Sequence, residues 1–376
     1  MRILVFANTP AHVHLYRHAV ERLEDAGHDV LVLTREYACT TDLLEFYGMA
    51  YRRYGRHETT APSKPQLARE LGEQAARIVG ESLRFRPDVV FGRGPYAALA
   101  GTVTRTPTVL VLDDEPGDFN HTVSRPFATC ILSPEVTRRD LGDDHYTFDG
   151  FKECAYLHPD VFEPDGAVRE YLGVGPDEPY ALVRFNGLDA LHDAGLEGFT
   201  REQRRDLLER LSERATVFVS DEGGEMNLRE HPAREYGLHP ALIHDAMAEA
   251  SLLVADTGTM VNEAALLGTP ALRYRGTDDH EYGEFRELER VGLAEQFDEY
   301  EAIRERSLEL LEDENATDHW GRRRREYVGG LANLTDVLVD VAEAGGSLER
   351  VTPTTRRALH AKLSASGTNP ESSPSD

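Results

Sequence analysis

Short apolar runs recur along this chain, each followed by a stretch with helical period, and this alternation limits the fold more than any other feature. "RILVFA" (2–7), "DVLVLT" (29–34), "DVVFG" (88–92) and "TVLVLD" (108–113) are continuously apolar instead of alternating. Such runs suit strands of a parallel sheet covered on both faces. Between them, "HLYRHAVERLEDAG" closes on Gly27 and "LARELGEQAARIVGESLRF" stops shortly before Pro87, both natural helix ends. The series restarts after "GFKECAYLHP" with "YALVRF" (180–185), "ATVFVS" (215–220), "SLLVAD" (251–256) and "PALRY" (270–274), interleaved with the helical "REQRRDLLERLSER" and "PALIHDAMAEA".

The pattern predicts an α/β protein of two doubly wound, Rossmann-like domains facing a cleft, and 376 residues suffice for two cores. The expected organisation is a first domain over 1–150, a crossing over 151–159 and a second domain over 160–330. A C-terminal helical segment over 331–363, built on "LANLTDVLVDVAEAGG", then leads to a polar tail at 364–376 whose Ser and Pro content predicts disorder.

Charge narrows the partners. There are 67 acidic against 41 basic residues, a formal charge of −26, and only Lys64, Lys152 and Lys362 are lysines. A polyanion would be repelled at long range, so nucleic acid is excluded as a partner. Acidic surfaces nearly devoid of lysine point to a halophilic, archaeal source, which explains the charge without reference to activity. No run reaches the ~20 apolar residues of a membrane span and no signal peptide is evident, so a cytoplasmic location is expected. Cys39, Cys130 and Cys154 are scattered, with no Cys-x-x-Cys pair, and indicate neither disulfides nor zinc.

"NTPAHVH" after the first run has no glycine, and no Gly-Lys-Ser or Gly-Lys-Thr occurs, so neither a dinucleotide turn nor a P-loop is present. "LLVADTGTMVNEAALLGTPAL" (252–272) is a different turn: a strand ending at Asp256, a break at Thr257-Gly258-Thr259, and a helix carrying Glu263. Gly258 suits a positive φ or close approach of a ligand, and Thr257 or Thr259 suits a helix cap. Free amides and the helix dipole would then face a diphosphate, with Glu263 accepting from ribose hydroxyls. Otherwise this is a capped βα turn and Glu263 a solvated acid.

This segment resembles the GT-B superfamily, and within it the UDP-N-acetylglucosamine 2-epimerases, where an Asp-Ser-Gly-Gly turn precedes paired acids and Leu-Gly-x-Pro. The resemblance implies that Thr257, Gly258 and Thr259 bind UDP phosphates and Glu263 the ribose; Asn262 stands in place of the first acid and Thr259 in place of a glycine. "NTPAHVHLYRHAVERLEDAGHDVLVLTR" is similar to the start of GT-B glycosyltransferases. More specifically, "PAHVH", "GHDVLVLTREYACTTDLLEFYG", "LDDEP" and "GTMVNEAALLGTP" resemble DUF354, a mainly archaeal GT-B-like family, over roughly residues 1–330.

His12 and His14 are the candidates for chemistry, read as lying in the first βα loop; a neutral imidazole there accepts a proton from a sugar hydroxyl. His12 stands at the position of the GT-B catalytic histidine. Alternatively, one of the two caps the first helix or packs on the neighbouring domain. Asp113 and Asp114 are read as hydroxyl binders or helpers to the histidine, in preference to a metal site with Glu115 and Asp118. The GT-B resemblance implies no metal and no cofactor. Arg184, Asn186 and Gly187 in "VRFNGLD" follow the second domain's first strand, where Arg184 either neutralises the leaving diphosphate or pairs with an acid.

The run Arg322, Arg323, Arg324, Arg325 either balances acidic neighbours or touches an anionic membrane surface peripherally. The implied function is transfer of a sugar from a UDP-linked donor to a polyprenyl-linked or glycan acceptor. A UDP-sugar 2-epimerase and a non-catalytic nucleotide-sugar-binding regulator are the alternatives. The catalytic acids of the epimerases lack clear counterparts in "FGRGPYAALAG".

Overall fold

The computed structural model describes residues 1–56, 64–113, 119–137, 141–186, 198–221, 223–224, 226–276 and 282–361. Asp114, Glu115, Asp118, Gly187 and the tail at 364–376 lie outside the described residues.

The first sheet contains β1 (Arg2–Phe6), β2 (Asp29–Glu36), β3 (Tyr51–Arg56), β4 (Val89–Gly92), β5 (Thr108–Val111), β6 (Cys130–Pro134) and β7 (His145–Phe148). The second contains β8 (Tyr180–Phe185), β9 (Thr216–Asp221), β10 (Arg234–Glu235), β11 (Leu252–Ala255), β12 (Ala271–Tyr274) and β13 (Glu295–Phe297), all parallel. The strand β14 (Leu359–Ala361) returns to the first sheet, antiparallel to β7. The orders are β14-β7-β6-β5-β4-β1-β2-β3 and β10-β9-β8-β11-β12-β13.

The two-domain α/β architecture read from the apolar runs is therefore present. Val89, Val90, Val109, Leu110, Leu253 and Val254 are fully buried, as strands covered on both faces require. Several strands escaped the sequence reading. Tyr51–Arg56 carries three arginines, Cys130–Pro134 ends in a proline, and β10 is two residues long, so none shows an apolar run.

The direction of winding reverses twice. In the first sheet β2 and β3 lie on one side of β1 while β4 to β7 extend on the other; in the second, β9 and β10 lie on one side of β8 and β11 to β13 on the other. Ligands of open α/β sheets bind in the crevice outside the strand carboxyl ends at such reversals. Here the two crevices face one another.

The C-terminal segment completes the first domain. The helix Leu334–Glu343 packs on the helix Pro10–Asp25, with an Arg22–Asp336 ion pair, and Thr335 donates to the Ala155 carbonyl at 2.6 Å. None of the three cysteines is in a disulfide, and Cys130 and Cys154 are buried. Among the described residues no helix is long and apolar enough to cross a membrane.

Candidate functional site

A cleft of about 1120 Å³ runs between the two sheets. Its floor begins at the short loop after β1. Thr9 is the N-cap of the helix Pro10–Asp25: its hydroxyl accepts from the His12 amide, and Pro10 supplies the first helical position. The helix thus starts earlier than its apolar period suggests. His12 and His14 are helical residues of the first two turns, not loop residues.

His12 lines the cleft. Burial, then the charges of Arg93 and Lys152, hold its pKa down at about 3, so the ring is neutral at physiological pH. The Asn8 amide donates to Nδ1 at 3.3 Å, which places the ring proton on Nε2. His14 is 5% exposed and packs across the domain boundary, its ring centroid 4.5 Å from His244 and 5.4 Å from Tyr156. His14 also lines the cleft.

Arg93, at the carboxyl end of β4, forms a two-pronged ion pair with Asp113, and Lys152 joins the same carboxylate. Asp113 is 4% exposed; although burial alone would raise its pKa, the two cations hold it far below the carboxylate range. The carboxylate thus holds two cations in place. Among the described residues no group of three His, Cys, Asp or Glu side chains is arranged to hold a metal ion.

Across the cleft, Asp256 accepts from the amides of Asn186 (2.8 Å) and Phe199 (3.3 Å), tying the loop after β8 to the end of β11. The Asn186 carbonyl accepts from the buried Arg204 at 2.6 Å, so both backbone groups of Asn186 serve the fold. Arg184 lines the cleft and donates to Ser220 Oγ at 2.5 Å. The helix Gly258–Leu267 follows, with Thr257 at its N-cap.

The Thr257 side chain makes no capping bond, and its shielded hydroxyl has no hydrogen-bond partner beside first-turn amides that helix geometry leaves unpaired. Thr259 is inside the helix and lines the cleft. Gly258 does not adopt a positive φ. Its lack of a side chain instead admits Phe285, whose ring would lie 2.9 Å from an added Cβ.

Glu263 is 5% exposed, which removes the reading as a solvated acid. Its Oε1 accepts from Tyr156 Oη at 2.8 Å and pairs with His244 Nε2 at 3.1 Å. Burial raises its pKa against the opposing influence of His14, Tyr156 and Lys152, while burial holds His244 at about 3. A ribose hydroxyl reaching Glu263 would have to share the carboxylate with these two donors.

The sequence reading missed Arg93, Lys152, Glu153, Tyr156 and His244. The signal for Arg93 was its place between two glycines at the end of a parallel strand beside β1. Lys152 was one of three lysines in an arginine-based chain. Of the run Arg322, Arg323, Arg324, Arg325, Arg323 donates to the Gly292 carbonyl at 2.8 Å and Arg324 to that of Leu266 at 2.9 Å.

The family model described as "Protein of unknown function (DUF354)" matches residues 2–279. The chain belongs to the DUF354 family. An uncharacterized protein of Methanocaldococcus jannaschii is 23% identical to this DUF354 protein over 283 residues, 70% of this chain and 79% of the relative. Among solved structures, the UDP-GlcNAc 2-epimerase of Neisseria meningitidis bound to UDP-GlcNAc superposes with a TM-score of 0.64 at 14% identity, covering 92% of this chain and 100% of that one. The spinosyn forosaminyltransferase SpnP gives a TM-score of 0.64 at 16% identity, with 92% and 100% covered. At these identities the likeness establishes the fold, which is GT-B: two Rossmann-like domains shared by nucleotide-sugar epimerases and glycosyltransferases.

Proposed function

We propose that this DUF354 protein is a glycosyltransferase that binds a UDP-linked sugar against the second domain and passes the sugar to an acceptor held on the first. The observation that carries this reading is the pairing of two facing crevices: one offers Arg184, the first turn of Gly258–Leu267 and Glu263, the other a neutral His12 among fixed cations. Helix N-termini and arginine suit a diphosphate leaving group. A cleft of about 1120 Å³ exceeds the roughly 300–1,000 Å³ typical of single small-molecule sites, leaving room for donor and acceptor together.

In the transfer, an acceptor hydroxyl oxygen bonds to the anomeric carbon, the carbon–diphosphate bond breaks with its electron pair leaving on phosphate oxygen, and the hydroxyl proton passes to His12. His12 must then give up the Asn8 amide or exchange ring tautomers. The negative diphosphate offsets the cations that depress its basicity.

The epimerase alternative is favoured by structural likeness to 2-epimerases. Against it, the Asp113 carboxylate is engaged by Arg93 and Lys152, which opposes its taking up a proton from a sugar carbon. Incubation with UDP-N-acetylglucosamine in heavy water separates the two. Deuterium entering the sugar without acceptor overturns the transferase reading; release of UDP that requires a lipid or glycan acceptor fraction, and that His12→Ala slows by roughly 100-fold, supports it.

A further inference from the structure

The first domain's half of the cleft is cationic in a chain of formal charge −26. Arg35 from the end of β2, Arg93 from the end of β4 and Lys152 from the crossing all line it, and all three lie close enough to bias the His12 ring. Among the described residues lining the cleft, the only carboxylate is Glu263, on the opposite domain. Asp113 stands behind Arg93 and Lys152 and fixes their positions. Arg35 lies over Tyr37 at 5.9 Å, and its Nε is shielded from solvent with no hydrogen-bond partner.

A shielded guanidinium nitrogen without an acceptor is costly, and Asp113 answers Arg93 and Lys152 with a single negative charge. The arrangement is relieved by an anion with several oxygens. Cationic side chains that three chain segments contribute to one half of the cleft suit the terminal oxygens of a phosphate monoester better than the two of a carboxylate. The second domain's crevice already holds its own phosphate-binding features, so the first domain's cations are left for a different ligand.

We propose that Arg35, Arg93 and Lys152 form a second oxyanion subsite, and that the acceptor is a phosphate monoester whose phosphate binds there beside His12. This rests on the transferase reading for its consequence, since the bound phosphate then sets the attacking oxygen beside His12: a hydroxyl elsewhere on a sugar phosphate, or an oxygen of the phosphate itself in a lipid phosphate. Two sources share this chemistry. A lipid phosphate would lay its chain along Leu43, Leu71, Tyr96 and Val123, which line the same half of the cleft; a sugar phosphate would leave those side chains untouched.

The test is calorimetric titration of the full chain with inorganic phosphate at fixed potassium chloride, with and without saturating UDP. Saturable phosphate binding that persists at one site in UDP-loaded protein is the expected result. Arg35→Gln should weaken it tenfold or more and Arg35→Lys should recover part of it, with circular dichroism confirming that both are folded. Phosphate displaced by UDP in the unmodified protein would assign the cations to the donor's diphosphate and overturn the proposal, as would an absence of saturable binding. Phosphate binding that depends on Arg35 in a protein that binds no UDP would support the subsite while overturning the donor reading. Dodecyl phosphate binding more tightly than glucose 6-phosphate identifies a lipid source, and the reverse order a sugar phosphate.

Discussion

Glu153→Gln should change stability by an amount that depends on pH. Glu153 is fully buried in the turn Lys152–Ala155, and both carboxylate oxygens lack hydrogen-bond partners; its cationic neighbour is Lys152 Nζ at 3.9 Å. Burial, only partly opposed by Lys152, pushes its pKa from 4.5 up to about 7. A carboxyl raised in the folded state favours folding fully below its unfolded value and loses that contribution as pH rises through the folded one. With those two values, the ionisation penalty grows from under about 1 kcal/mol at pH 5 to about 3 kcal/mol at pH 8. Glutamine keeps the shape of the protonated acid but cannot ionise. The stability of Glu153→Gln relative to the unmodified protein should therefore rise by about 2–3 kcal/mol between pH 5 and pH 8. Packing changes and the groups outside the field of Glu153, His12 and His244 included, cancel, whereas Glu284, which Glu153 helps push up to about 7, is eased by the substitution and shifts the difference in the same direction. Urea unfolding at both pH values and constant salt measures it. A difference that stays constant within about 0.5 kcal/mol would refute the assignment of Glu153 as a buried acid titrating near neutrality.

Asp113→Asn should cost about 3–5 kcal/mol in urea unfolding, because it leaves Arg93 and Lys152 partly buried without their anion; a loss below about 1 kcal/mol would show that the cations rehydrate freely. Glu263→Ala should weaken UDP binding by roughly 1–3 kcal/mol, read by calorimetry, since it removes the acceptor shared by Tyr156 and His244 as well as any ribose contact. Gly258→Ala should destabilise the second domain by about 1–3 kcal/mol, as its methyl meets the Phe285 ring at 2.9 Å; unchanged unfolding would mean that the ring moves aside without cost. Raising potassium chloride from about 0.1 M to molar strength should raise the melting temperature of a chain with formal charge −26, and a flat response would contradict surface repulsion as a limit on stability.

The sequence revealed the two sheets because parallel strands covered on both faces need continuous apolar runs, and it revealed one crevice because a strand, a Thr-Gly-Thr break and a helix start are local signals. Arg184, at the end of β8, lies opposite Ala255 of β11, the strand that leads into Thr257 and the helix Gly258–Leu267, so the two segments singled out in the second domain are neighbours. The limits of local reading appear at His12 and His14. The first helix begins at Pro10 because Thr9 caps it, a choice made by one hydroxyl and invisible to a search for apolar period. Gly258 likewise lacks the positive φ that its residue type suits, and its neighbour Phe285 comes from a separate helix.

What stayed hidden has a common physical origin, which also explains the character of the cleft. Lys152, Glu153 and Tyr156 belong to a five-residue stretch of the crossing, and each meets groups distant in sequence: Asp113 for Lys152, the charge of Glu263 for Glu153, and Glu263 Oε1 for Tyr156. No spacing rule links these positions, because the contacts exist only once two domains have folded and met. The first helix reaches the same place from the other side, laying His14 against His244 and Tyr156. Charges brought together in this way cannot be diluted by solvent, so their effects on one another are large. The same burial that makes Glu153 titrate near neutrality holds His12 neutral among cations, and an incoming anion changes both fields at once. A GT-B cleft of this kind therefore couples ligand charge to the proton affinity of its histidine through side chains of the crossing, and the crossing is the segment in which substitutions should alter binding, stability and pH response together.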